Sequence, residues 1–131
     1  MNAAQADEYI GIEWRINGTG PDAYNCWTFL AHIQRVYFAT IIPLISLDNP
    51  AANAELHKVK LQSGDWQIVK NPSHGDGALL KGGLSPHVGI YLDVDGGGVL
   101  HCAEGMGVVF TPANSLSIAG YARTVYYKLK K

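Results

Sequence analysis

Several features that mark large protein classes are scarce or missing in this sequence. Only two cysteines occur among 131 residues, and they do not form a Cys-x-x-Cys pair, which excludes a dense disulfide framework and a paired-cysteine zinc motif. Ten Lys and Arg side chains face eleven Asp and Glu side chains, so no broad positive field favours a polyanion. We therefore expect at least one free thiol, no paired-cysteine zinc site and no nucleic-acid partner.

Long apolar segments are missing as well. The longest apolar run, residues 39–47, is interrupted by Pro43 and is far shorter than the ~20 residues of a membrane helix. The N-terminus lacks the basic region and the apolar stretch of a secretory signal. We therefore expect a chain that is made in the cytoplasm, with no signal peptide and no integral membrane segment.

The composition suits a single domain over residues 1–131, because 47% of the residues are hydrophobic and a chain of this size can bury a core. The first half has helical patterns and the second half has short apolar runs separated by glycines. This segregation predicts an α+β fold in which N-terminal helices pack on a mostly antiparallel C-terminal sheet. The predicted strands cover residues 66–69, 77–81, 87–94, 99–104, 107–110 and 123–130.

The stretch PDAYNCWTFLAHIQRVYF at 21–38 predicts a helix. Asp22 or Asn25 can cap it, since a short polar side chain accepts from unpaired backbone N–H groups. The helix should begin near Cys26 and end before Pro43, and a weaker helix is predicted over 51–59. The helical period turns Phe29, Ile33, Val36 and Tyr37 towards a core, and His32, Gln34 and Arg35 outward.

Cys26 is the candidate nucleophile. A thiol in the first turn of a helix meets backbone N–H groups and the positive end of the helix dipole, both of which favour the thiolate. The alternative is a buried structural cysteine, because free cysteines are among the most buried residue types. A catalytic role therefore requires a base close to the thiol.

Two of the five histidines can supply that base from one hairpin. The glycine-rich turn at 95–98 predicts that the strands carrying His87 and His101 are antiparallel neighbours. A register with His101 opposite Gly89 sets the two imidazoles diagonally on one face, about 7 to 8 Å apart at Cα. Pro86 would then fix the start of the first strand near the sheet rim.

The remaining thiol and histidines have simpler interpretations. Cys102 should point to the face opposite His101 and pack against Val88 or Ile90, which disfavours a disulfide with Cys26 and a zinc site. His32 is expected on an exposed helix face, whereas His57 and His74 are expected in solvated loops or at helix ends.

These residues together resemble the NlpC-type cell-wall cysteine peptidases, a bacterial and phage branch of the papain-like fold. The matching segments are NCW at 25–27, HGDGALL at 74–80, HVGIYL at 87–92 and VLHCAEGMGVV at 99–109. The resemblance implies Cys26 as nucleophile, His87 as general base and His101 as the group that orients His87. It also implies hydrolysis of amide bonds in peptidoglycan stem peptides, without a metal or cofactor.

Two residues depart from that family pattern. Asn25 replaces the usual Asp, and Thr28 replaces a frequent Gly. We expect Asn25 to cap the helix as Asp would, and Thr28 to affect the fit of the substrate more than the chemistry.

Residues 9–27, followed by IIPLI at 41–45, resemble the branch associated with phage and prophage tails. That resemblance implies tail-tip proteins as partners and a location in the virion tail, acting on the host cell wall. Two alternatives stay open: a non-enzymatic tail module with the same fold, and an injected antibacterial amidase.

Overall fold

The computed structural model describes residues 1–47, 49–82 and 87–129. The helices are α1 (Ala3–Asp7), α2 (Cys26–Phe38) and α3 (Pro50–Ser63), with a 3₁₀ turn at Ala113–Ser115. The strands are β1 (Glu13–Trp14), β2 (Ala23–Tyr24), β3 (Trp66–Val69), β4 (Gly77–Lys81), β5 (His87–Leu92), β6 (Gly98–Ala103), β7 (Gly107–Pro112) and β8 (Arg123–Leu129). In the described residues, no helix combines the length and the apolar character needed to cross a membrane.

The strands of the second half form a six-stranded sheet in the order β3-β8-β4-β5-β6-β7. All of its neighbouring strands are antiparallel. The short strands β1 and β2 form a separate parallel pair. The α+β prediction is therefore confirmed, and the predicted strands agree with the observed ones to within a few residues. Pro86 lies outside the described residues.

Helix α2 is the main helix packed on the sheet, where it contacts β5 and β6. Phe29, Leu30 and Ile33 are fully buried on its inner face. They share a core with alternate residues of β5, namely Val88, Ile90 and Leu92. Burial of each large side chain contributes roughly 1.5–3 kcal/mol, so this contact holds the N-terminus of α2 firmly against the sheet.

The cap of α2 is Asn25, not Asp22. Asn25 Oδ1 accepts from the Thr28 backbone N–H at 2.8 Å, and Thr28 Oγ1 accepts from the Asn25 backbone N–H at 3.0 Å. This reciprocal pair is a capping box. The helix ends at Phe38, and Ala39 follows in the left-handed region with φ 52°. The end before Pro43 is thus confirmed.

The predicted orientations of three side chains on α2 were wrong. Gln34 is 1% exposed, and its Nε2 donates to the Gly75 carbonyl at 2.8 Å. His32 is half-buried and bonds the Tyr9 hydroxyl at 2.9 Å, whereas Val36 is 51% exposed. Loops also cover the flanks of the helix, and helical periodicity in the sequence does not reveal these contacts. The buried face of α2 is therefore wider than predicted and rotated from the predicted direction.

Helix α3 is longer than predicted, and it buries His57. The side chain is 1% exposed, which corrects the expectation of a solvated position. Its ring meets Trp66 and Tyr127 edge to face, with centroids 4.5 and 4.3 Å apart, and Trp27 at 5.4 Å. Among the described residues, neither ring nitrogen has a hydrogen-bond partner. His74, in contrast, lies in an exposed loop, as predicted.

Candidate active site

Cys26 is the first residue of α2 and is 7% exposed. Burial raises the pKa of its thiol to about 11, although hydrogen bonds from the backbone of Val88, Cys26 and Trp27 act in the opposite direction. The expected stabilisation of the thiolate by the helix N-terminus is therefore present but smaller than the cost of desolvating the charge. The resting sulfur is a protonated thiol at neutral pH.

The backbone of β5 meets this thiol at Val88, the residue that follows His87. Along β5, the pairing with β6 begins at Ile90, which lies opposite Leu100. Two residues before Ile90, the backbone of Val88 hydrogen-bonds Cys26. His87 directly precedes Val88 at the start of the strand. The thiol thus approaches the end of β5 where its ladder with β6 has stopped.

The predicted pairing of the two histidines agrees with the observed register. Ile90 lies opposite Leu100, so the same register continued by one residue sets Gly89 opposite His101. A Cβ added to Gly89 would lie 2.9 Å from His101 Cβ, so the missing side chain makes room for His101. His87 Nε2 and His101 Nδ1 are 2.7 Å apart, within hydrogen-bond distance.

A third side chain extends this hydrogen-bonded pair. His101 Nε2 lies 2.9 Å from Thr111 Oγ1 on β7. If His87 donates its Nε2–H to His101 Nδ1, then His101 carries its own proton on Nε2 and donates to Thr111. This tautomer leaves His87 Nδ1 unprotonated and able to accept a proton. His87, His101 and Thr111 are hereafter the relay.

The relay is uncharged at neutral pH. Burial lowers the pKa of His87 to about 4. Burial, followed by the charge of His87, lowers the pKa of His101 to about 3. Together with the raised pKa of the Cys26 thiol, these directions favour a neutral thiol and a neutral imidazole in the resting site. The base must therefore take the proton during the reaction.

Tyr121 covers the relay from a loop that sequence reasoning did not connect to the site. Its ring is stacked on His87, with centroids 5.5 Å apart and planes 10° apart, and it meets His101 edge to face at 5.6 Å. Burial raises the pKa of its hydroxyl, and a thiolate at Cys26 would raise it further, so the thiol is also within electrostatic range of Tyr121.

Thr111 was not predicted as a site residue either, although the strand pattern contains information that identifies it. Thr111 is paired with Val99, and Val99 and His101 share a strand face because they are two residues apart. Alternation along β7 therefore identifies it once the register is known. Tyr121 has no comparable local signal.

Cys102 behaves as predicted. It is fully buried and belongs to the same core cluster as Val88 and Ile90, on the sheet face that receives α2. Its thiol donates to the Tyr24 carbonyl at 3.4 Å. Both cysteines are free. In the ranges that the structure describes, no group of three or more His, Cys, Asp or Glu side chains could hold a metal ion.

The departures at Asn25 and Thr28 have structural explanations. Asn25 Nδ2 donates to the Ile16 carbonyl at 2.8 Å and to the Leu47 carbonyl. An aspartate would present an oxygen in place of that donor. Thr28 Oγ1 donates to the Gly18 carbonyl at 2.7 Å, which a glycine could not do. Both residues attach loops to the start of α2, beside Cys26.

Comparisons with known proteins identify the fold. Neither the protein-family profiles nor the curated proteins contain a match to the chain. Among solved structures, the NlpC/p60 domain of peptidoglycan hydrolase SagA matches with a TM-score of 0.58 and 21% sequence identity, over 94% of this chain and 92% of that chain. The chain therefore has the NlpC/p60 fold.

Proposed function

We propose that this protein is a cysteine peptidase or amidase that hydrolyses amide bonds in peptidoglycan stem peptides. The observation that carries the proposal is the relay, which begins at His87, next to the backbone that meets the Cys26 thiol. Two hydrogen-bonded imidazoles and a hydroxyl, one residue along the strand from the backbone that meets a thiol, have the parts of a nucleophile, a base and an orienting group.

In the proposed reaction, His87 Nδ1 accepts the proton of the Cys26 thiol while sulfur attacks the carbonyl carbon of the scissile amide. Backbone N–H groups at the start of α2 stabilise the resulting oxyanion. The imidazolium then donates its proton to the leaving nitrogen, and the C–N bond breaks to give a thioester and a free amine. Water, deprotonated by His87, hydrolyses the thioester and restores the thiol.

His101 would act through His87. Its Nδ1 accepts the His87 Nε2–H, which keeps the opposite nitrogen of His87 free to work as the base. A neutral orienting group stabilises an imidazolium less than a carboxylate does. The imidazolium should therefore be short-lived, and the resting site neutral.

The substrate class is supported by the fold and by the motifs around the site. The solved neighbour is a domain of a peptidoglycan hydrolase, and NCW, HVGIYL and VLHCAEGMGVV resemble the segments that carry the cell-wall peptidase residues. Isolated peptidoglycan incubated with the protein in reducing buffer should yield fragments whose masses identify the cleaved amide. A Cys26→Ala variant should yield none. Identical fragment profiles from the two proteins would contradict the proposal and favour a non-enzymatic module.

We also propose that the enzyme belongs to a phage or prophage tail and acts on the host cell wall. This setting is supported by the resemblance of residues 9–27 and 41–45 to the tail-associated branch. Mass spectrometry of purified virions should detect the chain together with tail-tip proteins. A gene neighbour that encodes a specific inhibitor, with toxicity of the chain on export to the periplasm, would instead indicate an injected amidase.

A further inference from the structure

The loop before β8 contains the aromatic ring that lies over both histidines of the relay. We infer that Tyr121 is a positioning residue that holds His87 in its bonded orientation and keeps water from the relay, and that its ring, not its hydroxyl, does this. The inference rests on the proposed function only in assigning His87 the role of base.

The first support is the geometry of the rings. Tyr121 and His87 are nearly parallel at 10°, with centroids 5.5 Å apart, which is an offset stack within the range of attractive aromatic pairs. His87 and His101 are themselves nearly perpendicular, at 78°. One tyrosine ring therefore contacts the face of the first imidazole and the edge region of the second. Rotation of His87 away from His101 would have to displace the Tyr121 ring.

The second support is the anchoring of the loop. Tyr121 backbone N–H donates to the Leu116 carbonyl at 3.0 Å. Leu116 is 4% exposed and packs with Ala78, Leu80 and Val99 in a core cluster that Tyr121 joins at its margin. The ring is thus held over the relay by a closed, packed turn of the chain.

The third support is the set of groups around His87. Among the described residues, the titratable side chains in contact with His87 are His101 from β6 and Tyr121 from the loop, the Cys26 thiol lies within electrostatic range of Tyr121, and β4 places the apolar Leu80 opposite His87. Burial is what lowers the pKa of His87. Since Tyr121 supplies one wall of that burial, removing the ring should return water to the imidazole.

Three substitutions test which part of the Tyr121 side chain matters. Tyr121→Phe removes only the hydroxyl, Tyr121→Leu replaces the aromatic ring with an aliphatic side chain, and Tyr121→Ala removes the ring altogether. NMR of the His87 imidazole protons gives its titration midpoint without any substrate. We expect the midpoint of Tyr121→Ala to rise by about one pH unit and that of Tyr121→Phe to match wild type. Tyr121→Leu retains apolar bulk against the core cluster that includes Leu116 and so disturbs the fold less than alanine does; its midpoint should fall between them.

Activity provides an independent readout. Tyr121→Ala should lower kcat roughly tenfold with little change in KM, and Tyr121→Phe should restore kcat. An unshifted His87 titration in both the alanine and leucine variants would overturn the inference. So would equal shifts in the phenylalanine and alanine variants, because they would assign the effect to the hydroxyl. A protein with no hydrolase activity would contradict the proposed function while leaving the titration test intact.

Discussion

Replacing His57 with phenylalanine should remove a defined part of the protein's sensitivity to acid. His57 is 1% exposed between Trp66, Tyr127 and Trp27, and neither ring nitrogen has a hydrogen-bond partner in the part of the chain that the structure describes. Its neutral ring suits this aromatic site, where an N–H can point at an aromatic face. An imidazolium there would be a buried charge that no described side chain neutralises.

The sign and size of the pH effect of His57 on the free energy of unfolding follow from proton linkage. Burial lowers the pKa of His57 to about 3 in the folded protein, whereas an unfolded histidine titrates near 6.5. The unfolded state therefore binds more protons between these values, so stability falls as pH decreases below about 6.5. At about 1.4 kcal/mol per pH unit, the contribution of His57 between pH 7 and pH 5 is roughly 2 kcal/mol.

Urea unfolding followed by tryptophan fluorescence, in reducing buffer at pH 7 and pH 5, measures this contribution. The free energy of unfolding of His57→Phe should gain about 2 kcal/mol relative to wild type on going from pH 7 to pH 5. The other buried histidines titrate equally in both proteins and cancel. His57→Gln is the matched control, because it cannot titrate in this range but stays polar. It should show the same gain from a lower starting stability. If the difference in free energy of unfolding between His57→Phe and wild type were equal at both pH values, the reasoning would be refuted.

Three further substitutions test the start of α2 and the relay. Asn25→Asp, which restores the residue of the resembled family, should destabilise by about 2 kcal/mol in urea unfolding, since it removes the Nδ2 donor to two carbonyls; an unchanged midpoint would contradict this. Gly89→Ala should cost at least about 2 kcal/mol and abolish hydrolysis, because its Cβ would lie 2.9 Å from His101 Cβ. Thr111→Val should lower kcat about tenfold by removing the acceptor for His101 Nε2–H, and it should cost about 1–3 kcal/mol of stability because that buried N–H is left unpaired. Wild-type kinetics would exclude Thr111 from the relay.

Much of the site could be predicted because it depends on local chemistry and on strand alternation. A short polar residue before an apolar helix fixed the position of Cys26. The glycine-rich turn and the missing side chain at Gly89 determined a register that brings His87 and His101 to one face. Each of these signals lies on the same helix start or the same hairpin as the group that it positions, so no knowledge of the remaining packing was needed.

The features that could not be predicted depend on contacts across the chain. His57 lies in a helix without an apolar stripe, and its burial results from Trp66 and Tyr127 on the sheet. Tyr121 reaches His87 from a loop with no periodic pattern. The pKa of Cys26 has the same origin, because the field of a helix N-terminus is local, whereas desolvation is set by everything that covers the thiol.

The role of Cys26 as the nucleophile is tested most directly by counting the amino groups released from peptidoglycan by cysteine variants. Cys102 is the natural control, because it is the other buried free thiol and lies in the core beneath α2. Wild type and Cys102→Ala should release new amines at comparable rates in reducing buffer, and Cys26→Ala should release none above background. Release by Cys26→Ala at the wild-type rate, or no release by wild type, would contradict the account.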